Sequence, residues 1–362
     1  MALFGQALFA LILLLAMSAF YVNHQNEQAR SEYKNKLSSW NEKDLVQLIT
    51  TQNKAAHGMI VHDETLRSQK LLKVLEYFMF GTCENALREQ RMSKVILAIH
   101  GNGCTGYMFS SYEDMALKNN ICIIAPTIPG WGLSLSLHAV TIEEFSKLMK
   151  QLLVDELKIV TQFNVLGASM GAPYAAGVSA FLSTFVRNVN LFAPFGKKAI
   201  DNEPFGELNA FQKAAYQLLL SSYTRDFLVD WILMPMVLKD PAQTFESMYP
   251  HEYSSLKGTT HAKLLIDEMK RSVNWTSVGM KESSAVLLNE EWGFELDSIC
   301  NVSGKIIVSM AEKDTMISKN NPHYYMKKIA NSQKQAKLEV LKNRTHFSSV
   351  LDLEKALLAL VE

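Results

Sequence analysis

The sequence predicts an α/β protein whose central sheet is mostly parallel, with helices on both faces. Short apolar runs alternate with helical patterns, as in chains whose parallel strands are joined by helical crossovers. One helical pattern begins at Thr141, a predicted N-cap with Glu144 three residues on, and continues with apolar residues at helical spacing. The predicted strands cover residues 95–99, 121–125, 163–166, 189–192, 305–310 and 338–341.

The alternation of strands and helices stops between residues 196 and 291. This stretch has helical patterns and many aromatic residues, which predicts a helical lid inserted at the carboxyl edge of the sheet. We therefore expect the α/β core to comprise residues 71–195 and 292–362, with the insertion at 196–291 between them. Residues 23–70 are polar and charged, and we interpret them as a juxtamembrane helical stalk and lead-in.

The N-terminus predicts a membrane segment. Residues 2–22 are almost entirely apolar, which is longer than the core of a signal peptide (about 7–15 residues) and close to the about 20 residues that span a bilayer. We expect an uncleaved single-pass signal-anchor over residues 1–22. Lys and Arg follow this run and do not precede it, which favours a cytoplasmic domain. Ala16-Met17-Ser18 also fits a cleavage site, so a secreted or luminal domain is the alternative.

Three Asn-x-Ser/Thr sequons begin at Asn274, Asn301 and Asn343. A chain of this composition contains about this many by chance, so they do not locate the domain.

Charge and cysteine content exclude several functions. The 36 basic and 36 acidic residues balance. The sequence has no stripe of basic residues mixed with aromatic ones, so we do not expect nucleic acid as a partner. The four cysteines are too few for a disulfide framework in a chain this long, and Cys122, which lies in an apolar run, is expected to be a small buried hydrophobic residue. The sequence contains no Cys-x-x-Cys pair and no Cys/His spacing that is typical of a zinc site. We therefore expect no metal or cofactor.

The strongest catalytic motif is Gly167-Ala168-Ser169-Met170-Gly171. A serine hydroxyl is a weak nucleophile that needs an exposed position and a base. A sharp turn from the preceding strand to the following helix exposes the serine, and the two glycines leave room for that turn. Ser169 is therefore the predicted nucleophile.

A second motif, His100-Gly101-Asn102-Gly103, follows the strand at 95–99. Ester cleavage passes through an oxyanion, which backbone N–H groups stabilise. The predicted donors are Met170, directly after the nucleophile, and Asn102 in this loop. We expect His100 to support the loop and not to act as the base.

The acid and the base are predicted from later loops. Asp314 follows the strand at 305–310, where a carboxylate can orient an imidazole; Glu312 and Asp201 are the rivals for this role. His346 lies after the last predicted strand and before the last helix, which makes it the predicted general base. The order Ser, Asp, His is the one that this architecture uses.

These motifs, together with the Pro129–Ser134 loop (Pro-Gly-Trp-Gly-Leu-Ser), resemble the α/β-hydrolase fold superfamily over more than half of the chain. The resemblance implies an eight-stranded sheet and a lid between the sixth strand and the strand that carries the acid. It also implies a serine hydrolase with the triad Ser169, His346 and Asp314.

Carboxylic-ester hydrolysis, including lipid ester or thioester cleavage, is the expected activity. Ser169 argues against the dehalogenases and epoxide hydrolases of this fold, which use an Asp nucleophile. Carbon–carbon bond hydrolysis, perhydrolase activity and a non-catalytic binding protein stay open, because one fold serves many chemistries. The apolar insertion and the anchor together suggest a lipophilic ester substrate.

Overall fold

The computed structural model describes residues 56–61, 74–134, 140–196, 222–274, 277–281, 283, 291–330 and 336–362. One eight-stranded sheet organises them, with strand order β1-β2-β4-β3-β5-β6-β7-β8. The strands are β1 (Ala56–Val61), β2 (Val74–Gly81), β3 (Val95–Ile99), β4 (Cys122–Pro126), β5 (Phe163–Ala168), β6 (Val186–Phe192), β7 (Ile306–Ala311) and β8 (Ala336–Leu341).

The sheet is mostly parallel, which confirms the predicted fold class. The pairs β1–β2 and β2–β4 are antiparallel, and every other neighbouring pair is parallel. All six predicted strands form, with ends that differ from the predicted ones by up to three residues. Three of them, β3, β4 and β5, were predictable because they are buried along their whole length and are therefore apolar runs in the sequence.

Strands β1 and β2 are not predicted by the sequence pattern. The expected helical lead-in over 23–70 is wrong at Ala56–Val61, which form the edge strand β1. An edge strand pairs on one side only and needs no continuous apolar run. In β2 the apolar run is broken by Glu76, which the fold nevertheless buries.

The described helices lie between and beyond these strands. They are α1 (Cys83–Arg88), α2 (Glu113–Lys118), α3 (Ile142–Lys150), α4 (Gly171–Phe181), α5 (Ser222–Leu228), α6 (Met234–Lys239), α7 (Pro241–Met248), α8 (Pro250–Leu256), α9 (Thr260–Val273), α10 (Asn320–Ala330) and α11 (Leu353–Val361). Short 3₁₀ helices form at Met92–Lys94, Gly106–Tyr112, Leu296–Asn301 and Phe347–Asp352, and π-helical turns at Gln151–Glu156 and Val229–Leu233.

Helix α3 begins as predicted. The Thr141 hydroxyl accepts from the Glu144 N–H, and the Glu144 carboxylate accepts from the Thr141 N–H at 2.9 Å. This reciprocal capping box satisfies two backbone donors that the first turn of a helix leaves without partners.

Successive residues of β3 face two different apolar clusters, one on each side of the sheet. Leu97 belongs to the cluster that includes Phe145 of α3 and Tyr174 of α4. Ala98 belongs to the cluster that includes Leu265 of α9 and Leu357 of α11. Because side chains alternate along a strand, both faces of the sheet are apolar and both are covered by helices.

The described residues between 222 and 274 form helices α5 to α9. The predicted signal-anchor over 1–22 and the first part of the insertion, 197–221, lie outside the described residues. Within the part of the chain that the structure describes, none of the helices combines the length and the apolar character that crossing a membrane requires.

Cys83 and Cys122 form a disulfide, which corrects the expectation that Cys122 is merely a small buried hydrophobic residue. The two residues are 39 positions apart, so their pairing is not a local feature of the sequence. The antiparallel register of β2 and β4 places Gly81 opposite Cys122, which brings Cys83 beside it. The sheet topology therefore creates this pair.

Candidate active site

Ser169 lies in a sharp turn between the end of β5 and the start of α4. Its φ of 54° is left-handed, a conformation that residues other than glycine seldom adopt. Its N–H donates to the carbonyl oxygen of Phe192 (2.8 Å), and its own carbonyl accepts from the N–H groups of Ala172 (3.0 Å) and Phe195 (3.2 Å). The end of β6, the segment after it and the first turn of α4 thus fix the strained backbone, and the turn has the strand-to-helix context that the sequence predicts.

Glycine is required at position 171 because the chain at the end of β3 runs against it. A Cβ atom on Gly171 would collide with the carbonyl oxygens of Ile99 and His100. The close approach brings the loop after β3 directly alongside the turn that carries Ser169.

His346 and Asp314 complete a continuous hydrogen-bonded chain with Ser169. Ser169 Oγ lies 2.9 Å from His346 Nε2, and His346 Nδ1 lies 2.7 Å from Asp314 Oδ2. These side chains come from the turn after β5, the loop after β8 and the loop after β7. The structure therefore brings the predicted nucleophile, base and acid together at the carboxyl edge of the sheet.

The Asp314 carboxylate is fixed in orientation. Its second oxygen, Oδ1, accepts from the backbone N–H groups of Met316 and Ile317, each at 2.9 Å, and the residue is buried. The rival Glu312 is exposed, and its carboxylate accepts from the Asn343 N–H at 2.7 Å. The other rival, Asp201, lies outside the described residues.

The pKa of His346 is raised above its usual value of 6.5. Burial by itself would lower this pKa, but the negative charge of Asp314 and its hydrogen bond outweigh that effect, with a further contribution from the charge of Glu252. The surroundings of His346 thus favour its protonated form, the imidazolium, which is the form that a general base takes after it accepts a proton.

The His100–Gly103 loop passes directly over the nucleophile. A Cβ atom on Gly101 would lie 3.2 Å from Ser169 Cβ and 3.7 Å from Ser169 Oγ. Asn102 comes next in this loop, and Met170 follows Ser169 directly. Both predicted oxyanion donors are therefore chain neighbours of residues that adjoin the hydroxyl.

His100 supports this loop through two hydrogen bonds of its ring nitrogens. Its Nε2 lies 2.9 Å from the Ile128 N–H and can only accept, so the proton is on Nδ1, which donates to the carbonyl of Gly101 at 2.8 Å. Complete burial lowers the pKa of His100 to about 4 despite that second bond, which keeps the ring neutral.

Glu252, in helix α8 of the insertion, holds the loop of the predicted base. Its carboxylate is buried and accepts from the backbone N–H groups of His346 (3.2 Å) and Phe347 (2.8 Å). Phe347 also packs edge-on against Phe245 of α7, with ring centroids 4.8 Å apart. The carboxylate therefore caps the 3₁₀ helix Phe347–Asp352 and fixes the backbone of His346.

Glu268, in helix α9, holds Thr105, which lies two residues after the His100–Gly103 loop. One carboxylate oxygen accepts from the Thr105 N–H (2.8 Å) and the Thr105 hydroxyl (2.7 Å), and the other lies 3.0 Å from Arg271 Nε. Burial raises the pKa of Glu268 to about 7, although the bonds from Thr105 and the charge of Arg271 act in the opposite direction.

Sequence reasoning missed both glutamates. Each is a charged residue in a helical segment and would ordinarily be assigned to an exposed face. Only the packing of the insertion against the sheet buries them, and no local sequence signal indicates that.

The Pro129–Ser134 loop fastens the insertion to the sheet. The Gly279 N–H donates to Gly130 O (2.8 Å), the Gly132 N–H donates to Ser272 O (2.9 Å), and Trp131 Nε1 donates to Ser283 Oγ (2.9 Å). The motif thus has a structural role. Among the described residues, no group of three or more His, Cys, Asp and Glu side chains is arranged to hold a metal ion.

Comparison with known proteins identifies the fold. No protein-family model and no curated relative matches the sequence. Among solved structures, the chain is similar to a hydrolase from Pseudomonas aeruginosa PA01 at TM-score 0.56 and 16% identity, covering 85% of this chain and 99% of that one. It is also similar to an esterase from Exiguobacterium antarcticum (TM-score 0.55, 15% identity, 80% and 95% covered) and to a bromoperoxidase from Bacillus anthracis (0.55, 13%, 84% and 99%).

The chain therefore has the α/β-hydrolase fold that its motifs resemble. Identities of 13% to 16% establish the fold and leave the reaction to be argued from the site.

Proposed function

We propose that this protein is a serine hydrolase that cleaves carboxylic esters through an acyl-enzyme intermediate. The observation that carries the proposal is the continuous chain of hydrogen bonds from Ser169 Oγ through His346 to Asp314. A buried, oriented carboxylate, an imidazole and an accessible hydroxyl in this geometry are the parts that nucleophilic acyl transfer requires.

In the first half of the reaction, Ser169 Oγ attacks the carbonyl carbon of the ester while His346 Nε2 takes the hydroxyl proton. Electrons of the carbonyl double bond move to its oxygen, to which the N–H groups of Met170 and Asn102 donate. When the tetrahedral intermediate collapses, the alcohol leaves with the proton from His346, and the acyl group stays on Ser169.

In the second half, water attacks the acyl carbon and gives a proton to His346. Collapse of the second intermediate returns that proton to Ser169 Oγ and releases the carboxylic acid. The Asp314 carboxylate stabilises the imidazolium at each step. A thioester would react in the same way, with a thiol as the leaving group.

We propose a lipophilic substrate. Large apolar side chains are exposed along one part of the insertion: Phe227 is 37% exposed, Ile232 41% and Met236 40%. Exposed apolar groups that lie close together favour contact with apolar ligands or lipids. The apolar run 2–22 would keep the domain beside a membrane, where such esters are concentrated.

The test is labelling with a fluorophosphonate, which bonds to an activated serine with loss of fluoride, followed by assays with p-nitrophenyl esters of increasing chain length. We expect labelling of the wild type but not of Ser169→Ala, and kcat/KM that rises with acyl length. Labelling without ester turnover would redirect the search to carbon–carbon bond hydrolysis or perhydrolase chemistry. Absence of both would favour a non-catalytic binding protein.

A further inference from the structure

The disulfide between Cys83 and Cys122 carries information about where this domain folds. It joins the start of α1 to the first residue of β4, and both residues are buried. The other two cysteines, Cys104 and Cys300, are free. Structural disulfides form and persist in oxidising compartments and are rare where thiols are kept reduced. The bond therefore favours the luminal or secreted location over the cytoplasmic one, both of which the sequence leaves open.

In that compartment the Asn-x-Ser/Thr sequons can accept N-linked glycans. The side chains of Asn274, Asn301 and Asn343 are all exposed. Counting sequons says nothing about location, but an exposed sequon asparagine in a domain that forms a disulfide is an available acceptor for N-linked glycan.

Asn301 is the one acceptor of the three whose whole sequon lies in the described residues with both its asparagine and its serine exposed. It ends the 3₁₀ helix Leu296–Asn301, and both Asn301 and Ser303 of its sequon are exposed. Asn343 has another reason to be asparagine, since its φ of 60° is left-handed and asparagine tolerates that conformation. Thr345, the third residue of the Asn343 sequon, is buried in the folded domain, and its hydroxyl forms hydrogen bonds with the hydroxyls of Ser348 and Ser255.

We propose that the hydrolase domain matures on the non-cytoplasmic side of a membrane, with a Cys83–Cys122 disulfide and an N-linked glycan on Asn301.

The two thiols lose two protons and two electrons by exchange with a disulfide-bearing oxidoreductase, whose own disulfide becomes two thiols. The glycan passes from a lipid diphosphate donor to Asn301 Nδ2. A carbon–nitrogen bond forms, the carbon–oxygen bond to the diphosphate breaks, and the amide loses a proton. The apolar run 2–22 would direct the chain there, as a retained anchor or a cleaved signal.

The test uses the full-length chain expressed in eukaryotic cells and does not depend on enzymatic activity. Thiols are quenched with acid, and the denatured protein is labelled with a maleimide polymer before and after reduction. We expect two labelled cysteines before reduction and four after it. A parallel sample treated with a peptide-N-glycosidase should lose mass.

Variants locate the glycan. Asn301→Gln and Ser303→Ala should each remove one glycan, because either change destroys the same sequon. Asn320→Gln, which alters an exposed asparagine outside any sequon, is the matched control and should leave the mass shift unchanged.

Four labelled cysteines before reduction, with no response to the glycosidase, would overturn the proposed location. A disulfide without any glycan would overturn the assignment of Asn301, and so would a mass shift that is unchanged in Asn301→Gln but lost in Asn274→Gln or Asn343→Gln. A glycan on a chain with four free thiols would overturn the Cys83–Cys122 pairing in the cell.

Discussion

At the residue scale, the proposed mechanism makes the hydroxyl of Ser169 dependent on a single partner for its activation. His346 Nε2 can accept a proton only in the neutral imidazole, and Nδ1 is held in the donor state by Asp314 at 2.7 Å. The three side chains therefore form one functional unit in which each group sets the protonation state of the next.

Ser169→Ala should abolish ester hydrolysis and leave the fold intact. Loss of a triad serine costs roughly a millionfold in turnover, and His346→Ala should be nearly as damaging. Since the two groups act together, the double variant should be little worse than either single one. The measurement is kcat for all three variants on one ester, with circular dichroism to verify folding. Effects that multiply in the double variant would show that the two residues act independently.

The activity should rise with pH through a midpoint above 6.5. His346 acts as a base only when it is neutral, and its pKa is raised above that value, so the protein is inactive below the raised pKa and active above it. The measurement is kcat/KM from about pH 5 to 9 in buffers of constant ionic strength. A midpoint below 6.5 would contradict the electrostatic role given to Asp314.

Asp314→Asn should lower kcat by about four orders of magnitude, because the imidazole loses the partner that fixes its tautomer. The activity that remains should have its midpoint at lower pH than the wild type, since the charge and the hydrogen bond that raise the pKa of His346 are gone. Glu312→Gln is the matched control and should leave both quantities unchanged. Full activity in Asp314→Asn would transfer the acid role to Asp201.

At the element scale, helices α8 and α9 of the insertion hold backbone segments beside the residues of the proposed active site. Glu252 holds the loop of His346, and Glu268 holds Thr105, two residues after the His100–Gly103 loop, each through buried carboxylate oxygens that accept backbone N–H groups. A segment with these contacts cannot leave the sheet without exposing the backbone donors of both regions. Lid movement is therefore expected in other parts of the insertion.

Glu252→Gln should reduce kcat/KM by about 10- to 100-fold, because one amide oxygen cannot serve both N–H groups and the base shifts from its position. The midpoint of the pH profile should also fall, since the charge of Glu252 helps to raise the pKa of His346. A purely structural role would not move that midpoint. Glu246→Gln, an exposed carboxylate in the same insertion that pairs with Lys257, is the control and should behave like the wild type.

The sequence predicts the elements that carry local signals and misses those that depend on distant contacts. Strands β3 and β5 are apolar runs followed by glycine-rich turns, so both the strands and the catalytic loops after them were predictable. Glu252 and Glu268 carry no such signal, because their burial is decided by how the insertion packs on the sheet. Strand β1 was missed because an edge strand needs little apolar sequence.

At the scale of the whole molecule, the sheet places the residues of the proposed active site at one edge, the carboxyl ends of its parallel strands. In parallel strands the carboxyl ends point the same way, so the loops after β3, β5, β7 and β8 meet although they are far apart in sequence. The same scaffold serves a hydrolase, an esterase and a bromoperoxidase among the similar structures. The reaction is thus determined by the loops and the insertion.

The Cys83–Cys122 disulfide should stabilise this whole arrangement. Its 39-residue loop contains β3, the His100–Gly103 loop and α2, so opening it frees the unfolded chain over a segment that includes a central strand. A loop of this length stabilises a protein by about 2–4 kcal/mol, mainly by restricting the unfolded state.

Reduction should therefore lower the free energy of unfolding of the wild type by about 2–4 kcal/mol. The measurement is urea unfolding of the purified protein with and without a reductant. The double variant Cys83→Ala, Cys122→Ala is the control: it should start at the lower stability and show no further change when the reductant is added. Because Cys104 and Cys300 are free, reduction has no other bond to break. A wild-type midpoint that does not respond to the reductant would mean that the bond contributes nothing to stability, and that the packing of α1 against β4 suffices to hold this edge of the sheet.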